Sequence, residues 1–232
     1  MRASVWHFAA CGALISLGAS AAAATEIADG TGDFLASYTG PSSSDLDLIG
    51  ANVNFDGSNF IFDVTTAGQV GTTPNSLFVW AINRGSGVSR PGLAPPDGAS
   101  LLWDAVVVMF PDGTLRVVTF PQAGPPSIAN LVGATAVLGN ELSGSVLSSM
   151  LPSTGFAASD YTFSLWSRVR VNPAADGLNS EVADLLSGSG NIRASAVPEP
   201  ATWLTMLLGF GIVGGAMRKM GSVRRVGGRA LS

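Results

Sequence analysis

The chain has 232 residues, 29 of them glycine and 13 proline, with 47% hydrophobic and only 12% charged side chains, and a formal net charge of −4. Glycine is well above its usual share of ~7%, and charge is about half of its usual ~25%. The one histidine, His7, and the one cysteine, Cys11, lie in the first eleven residues, and the one lysine, Lys219, lies near the end. Between Thr25 and Pro200 there is no His, Cys or Lys. That excludes a Ser-His-Asp triad, a Cys-His pair, a lysine Schiff base, and zinc, copper or haem sites with imidazole or thiolate ligands. The same stretch holds sixteen acids against six arginines, the wrong sign for a nucleic-acid surface. With one cysteine no internal disulfide forms, so a packed core or bound ions must stabilise the domain.

In chain order, Arg2, the apolar run Val5 to Ala19 and the small residues Ala22-Ala23-Ala24 read as a signal peptide over residues 1–24. Cleavage is expected between Ala24 and Thr25, through the Sec translocon and signal peptidase. Residues 25–190 show period-two alternation, the mark of half-buried strands. Phe60, Phe62 and Val64 alternate with Ile61, Asp63 and Thr65, and Gly50 marks a bend between Leu48 and Val53. Phe55-Asp56-Gly57-Ser58-Asn59 and Pro111-Asp112-Gly113-Thr114 read as hairpin turns, because glycine accepts the positive φ they need.

Further strands are expected over 77–82, 101–110, 115–120, 134–138, 141–147 and 161–171, giving eight or nine in all. Leu178 to Leu186 reads as a short helix capped by Asn179 or Ser180. Residues 86–100 read as a long Gly/Pro-rich loop and 120–130 as an irregular crossing. The sum is a mainly β protein, an antiparallel β-sandwich of jelly-roll or Ig-like type, flanked by the signal helix and a C-terminal transmembrane helix.

Two kinds of carboxylate chemistry are compatible with this composition. Acid/base glycoside cleavage needs two acids about 5–10 Å apart, for which Asp104 and Glu141 are one pair. Calcium needs six to eight oxygen ligands, and Asp29, Asp33, Asp45, Asp47 and Asp56 are close enough in sequence to share one edge. Solvated turn aspartates explain the same residues. No catalytic residue is assigned, the protein is read as a non-enzyme, and calcium is the one cofactor considered. Trp80, Trp103 and Trp166 fall within strands and are expected in the core rather than as sugar platforms. Arg168 and Arg170 share a strand face.

The C-terminus has an order of its own. Residues 191–200 form a linker ending in Pro198-Glu199-Pro200, residues 201–217 are 17 uncharged positions, and residues 218–232 carry five positive charges and no acid. As a helix, 201–217 would span about 25 Å, the short end for a bilayer. The positive charges place the tail 218–232 in the cytoplasm and the domain outside. Pro198, Glu199, Pro200 and Trp203, the Gly-rich apolar stretch, and the basic residues Arg218, Lys219, Arg224 and Arg225 together resemble the PEP-CTERM sorting signal in its PEP-x-x-W form. This segment is also labelled the C-terminal domain of ice-binding proteins.

The resemblance implies export in a Gram-negative bacterium, anchoring in the inner membrane before processing, and cleavage by an exosortase. It also implies an outer-surface or extracellular location, with exopolysaccharide and biofilm as the setting. The tail departs from the usual unbroken arginine run, being diluted to RKMGSVRR. In the middle, Gly32-Asp33, Asp45-Leu46-Asp47 and the first hairpin resemble the opening of DOMON-like or carbohydrate-binding sandwiches. The expected role is structural or adhesive; a carbohydrate- or calcium-binding module is the alternative.

Overall fold

The computed structural model describes residues 27–90, 100–169, 181–196 and 208–210. The signal segment with Ala24 and Thr25, the motif residues Pro198, Glu199, Pro200 and Trp203, and the basic residues Arg218, Lys219, Arg224 and Arg225 lie outside the described residues. So does Arg170. Of the expected membrane helix only 208–210 are described, and they are helical. Among the described residues no helix is long and apolar enough to cross a membrane.

Two sheets dominate. The first contains β1 (Ile27–Ala28), β2 (Leu48–Phe55), β3 (Asn59–Thr66), β10 (Thr135–Leu138) and β11 (Glu141–Leu147), in the order β1-β2-β3-β11-β10. The second contains β4 (Ser76–Asn83), β7 (Ala105–Met109), β8 (Thr114–Thr119), β9 (Ser127–Val132), β12 (Thr162–Val169) and β13 (Val182–Leu185), in the order β13-β12-β4-β7-β8-β9. A small ladder joins β5 (Val88–Ser89) to β6 (Leu102–Trp103). Two late strands return to the main sheets: β14 (Ile192–Arg193) pairs with β12, and β15 (Ser195–Ala196) pairs with β2. Among the described residues every ladder is antiparallel except β15 on β2.

The alternation in β3 is the reason the sheets stack. Phe60, Phe62 and Val64 are fully buried, as are Phe78, Trp80 and Ile82 of β4 and Phe163 and Leu165 of β12. Phe62 sits 5.4 Å from Trp80 and 5.9 Å from Phe163, ring centre to ring centre, so the first sheet touches the second through aromatic side chains. Burial of each such ring stabilises the fold by on the order of 2–3 kcal/mol. Both expected hairpins form, with Gly57 at φ 93° and Gly113 at φ 92°. The bend expected at Gly50 is a register shift between Leu48 and Gly50 against β3.

The second sheet is apolar on both faces. Strand β4 reads Ser-Leu-Phe-Val-Trp-Ala-Ile-Asn and is buried at six of its eight positions, the pattern of a strand covered on both sides. Its outward residues Val79 and Ala81 join Trp103, Val106, Trp166 and Val182 in a second cluster, flanked by Leu35, Leu101 and Phe120. All three tryptophans expected in the core are buried.

Four sequence expectations are corrected. Of the helix expected over 178–186, residues 178–180 with the cap candidates Asn179 and Ser180 lie outside the described residues, and Val182–Leu185 form a strand, because Val182 and Ala183 are both buried and β12 offers an edge that satisfies the backbone. The irregular crossing expected over 120–130 runs into β9 from Ser127, an exposed edge strand paired along all six residues with β8. Its prolines precede the strand instead of interrupting it, as edge strands allow. The single strand expected over 101–110 breaks at Asp104, whose side chain is drawn into an ion pair. The segment expected to link domain and anchor keeps pairing through Ala196, with Ile192 wholly buried.

Candidate functional site

Three stretches far apart in sequence meet at one end of β2. Asp29 follows β1, and its carboxylate accepts from the backbone N–H of Gly30 at 2.9 Å and of Ser187 at 2.6 Å, and from the Ser187 hydroxyl. Asp47 immediately precedes β2; its Oδ2 accepts from the Gly32 N–H at 2.8 Å, whereas its Oδ1 is buried with no hydrogen-bond partner among the described residues. Asp184 lies in the middle of β13 and accepts the Leu48 N–H at 2.7 Å across 136 positions of sequence. Asp33, Asp47 and Asp184 each offer an oxygen, and the three lie within 4.8 Å of one another.

The electrostatics of this cluster are strained. Asp47 is 5% exposed and Asp184 1%, while Asp33 is open to solvent. Burial pushes the Asp184 carboxyl up to about 7; the Leu48 N–H pulls it back, and the charges of Asp33 and Asp29 push it further. Burial likewise raises Asp47, opposed by the Gly32 N–H and reinforced by Asp33 and Asp29. Like charges about 4 Å apart repel by roughly 1 kcal/mol in water and ~4 kcal/mol near a protein surface. An all-oxygen set of this kind suits a hard cation.

Of the five aspartates singled out from the sequence, the structure brings Asp29, Asp33 and Asp47 to this place and sends two elsewhere. Asp45 is buried and holds Thr73, accepting from its N–H at 2.7 Å and its hydroxyl at 2.6 Å. Asp56 closes the first hairpin, accepting from Ser58 and Asn59 N–H at 2.8 and 2.6 Å. Those bonds hold its carboxyl below the ordinary range, Asn59 contributing most. Sequence reasoning missed Asp184, because a helix was expected across it. An acid inside Val-Ala-Asp-Leu, with apolar neighbours on both sides, was the available signal.

The glycosidase pair is not assembled. Asp104 belongs to the second sheet's side of the sandwich, where Arg84 Nε donates to its Oδ1 at 2.9 Å and Thr154 Oγ1 to its Oδ2 at 2.5 Å. Both partners of the ion pair are buried, with side chains 3% and 2% exposed. Glu141 is exposed at the start of β11 in the first sheet, opposite Thr65 and Leu138.

A concavity of about 920 Å³ runs over the outward face of the second sheet. Val79, Val106, Val108, Trp103 and Trp166 line it together with Arg116 and Arg168. The Trp103 indole N–H is buried without a partner among the described residues. Arg90 stacks over both Trp103 and Phe120, at 5.3 and 4.5 Å from the ring centres. Arg168 is also tied to Glu181 at 2.5 Å.

The chain leaves the sandwich through β15, whose last residue is Ala196. Residues 196–220 match the PEP-CTERM protein-sorting motif. The chain therefore carries an exosortase sorting signal. That match begins where the last strand pairing ends, so the PEP-CTERM segment and the paired β domain are adjacent without overlapping by more than one residue. The motif implies export, membrane anchoring before processing, and exosortase as the processing partner. No curated protein matches the chain.

Proposed function

We propose that this is an exported cell-surface or extracellular-matrix protein whose β-sandwich serves a structural or adhesive role and whose PEP-CTERM end directs its sorting. The observation that carries the reading is the sorting motif at 196–220, placed directly behind the last paired strand. In this reading the Sec translocon exports the chain and signal peptidase cuts after Ala24. Residues 201–217 hold it in the inner membrane with the 218–232 tail in the cytoplasm. Exosortase then acts near Pro198-Glu199-Pro200, and the released domain reaches the outer surface or an exopolysaccharide matrix. No catalytic step is assigned, in keeping with a central chain that lacks His, Cys and Lys.

A carbohydrate-binding module is the second reading, favoured by the groove over the second sheet, with Arg116 and Arg168 among its lining residues. There the apolar strand face would cover a sugar ring while the arginine side chains bond its hydroxyls. Protease treatment of intact cells tests the first reading: the domain is digested while the tail stays protected until processing. A strain lacking the protein loses attachment, and the full chain restores it whereas a chain ending at residue 197 does not. A domain trapped in the cytoplasm, or attachment indifferent to the protein, would sink the proposal.

A further inference from the structure

We propose that Asp33, Asp47 and Asp184 bind one calcium ion, which fastens the segment between β1 and β2 to the edge strand β13. Calcium sits 2.3–2.6 Å from its oxygen ligands, so oxygens within about 5 Å of one another can share one ion. The three carboxylates meet this condition, each offering an oxygen within 4.8 Å of the others. The buried Oδ1 of Asp47 supplies the independent sign of a missing partner: it is shielded from solvent and receives no donor, although the other oxygen of the same carboxylate is well bonded. An unpaired buried carboxylate oxygen is costly in a folded protein, and a cation relieves that cost directly.

Among the described residues, the charges that act on the site have one sign. The charged groups that act on Asp47 and Asp184 among the described residues are Asp33 and Asp29, and the polar contacts are backbone N–H groups of Gly32, Leu48 and Leu185. Those N–H groups orient the carboxylates without neutralising them. Soft-metal chemistry does not compete, because the chain's single His and Cys are both among its first eleven residues. Carboxylates, carbonyls and water are the ligand set that calcium prefers, and its tolerance of irregular geometry suits a site built from a loop, a strand start and a strand middle.

The ion would act as a staple. The segment from Asp29 to Asp47 contains no strand, yet it is tied to β13 by the Leu35 N–H to the Ala183 carbonyl at 2.9 Å, and to the turn after β13 by the Ser187 N–H to Asp29. Strand β13 is an edge strand, held by one neighbour. A calcium ion shared by Asp33 and Asp47 on one side and Asp184 on the other closes that edge.

Calorimetric titration of the full chain in non-ionic detergent with calcium chloride, beside thermal melts, tests the proposal. One saturable site is expected, with a Kd in the range of about 10⁻⁵–10⁻³ M. At a hundredfold excess over Kd the melting temperature should rise by roughly 5–10 °C. Because Asp33 is exposed, Asp33→Asn folds normally; it should weaken calcium at least about tenfold while its calcium-free melt stays at or above that of the parent. Glu141→Gln, altered outside the cluster, should bind as the parent does. Absence of saturable heat up to about 10 mM, an equal response to magnesium, or unchanged binding by Asp33→Asn would overturn the assignment.

Discussion

Replacing Asp104 by alanine should be among the most damaging single changes in the domain. The carboxylate accepts four donors: Arg84 N–H at 3.2 Å, Arg84 Nε at 2.9 Å, Ser86 N–H at 3.2 Å and the Thr154 hydroxyl at 2.5 Å. Arg84 would keep Nη1 on the Pro152 carbonyl at 2.9 Å and Nη2 on the Asp104 carbonyl at 3.1 Å, but its charge would be buried and uncompensated. Four hydrogen bonds at about 1 kcal/mol each, or one broken buried ion pair at about 3–5 kcal/mol, give the same figure of roughly 4 kcal/mol. With an m-value near 2 kcal/mol/M in urea, the unfolding midpoint should fall by about 2 M.

Intrinsic tryptophan fluorescence reports the transition, since Trp80 lies in the shared core and Trp103 adjoins Asp104. Combining Asp104→Ala with Arg84→Met in a double-mutant cycle should recover part of the loss, because the apolar replacement removes the orphaned charge. A loss below about 1 kcal/mol, or strictly additive effects, would refute the claim that this pair pins the 84–86 turn to the 152–156 loop.

Two other changes follow from the same geometry. In the fold Asp184 holds its proton up to about 7, against 3.8 for the free group, so between those values the folded chain binds a proton that the unfolded chain has lost. In EDTA, stability should therefore fall as pH rises from about 4 to about 7, on the order of 2 kcal/mol once solvent access at Asp33 is allowed for. Asp184→Asn should flatten that slope, and denaturant melts rising steadily from pH 5 to 8 in both proteins would contradict it. Gly85→Ala should cost at least about 2 kcal/mol, since φ is +128° and the new Cβ would lie 2.6 Å from the Gly155 backbone. A thermal melt within a degree of the parent would show that the two glycines do not need to approach so closely.

What could be read from the sequence was what depends on neighbours along the chain. The alternation of Phe60, Phe62 and Val64 and the turns at Gly57 and Gly113 are local, and each appears where expected. The sorting motif is local too, being a linear order of proline, apolar run and basic residues. Strand β9 was hidden because its exposed residues lack the apolar alternation that signals a half-buried strand. Strand β13 was hidden because Val182, Ala183 and Leu186 satisfy a helical spacing equally well; only the free edge of β12 decides between them.

The acidic cluster falls between these cases. Asp29, Asp33 and Asp47 were visible as neighbours in sequence, but β13 brings in Asp184 from more than a hundred positions away. Asp45 and Asp56 are equivalent to the others in sequence, and only the contacts with Thr73 and Asn59 set them apart. The pairing of residues 192–196 was equally non-local, since those strands need β12 and β2 to exist first.

Mass spectrometry of both ends of the mature protein, purified from the envelope and medium of cells that contain exosortase, tests the central claim most directly. The account predicts a first residue near Thr25 and a last residue between Pro198 and Thr202, so that the domain ending in β15 at Ala196 leaves the cell intact. A mature chain that retains Met1, or one that keeps residues 203–232 in the presence of active exosortase, would contradict it.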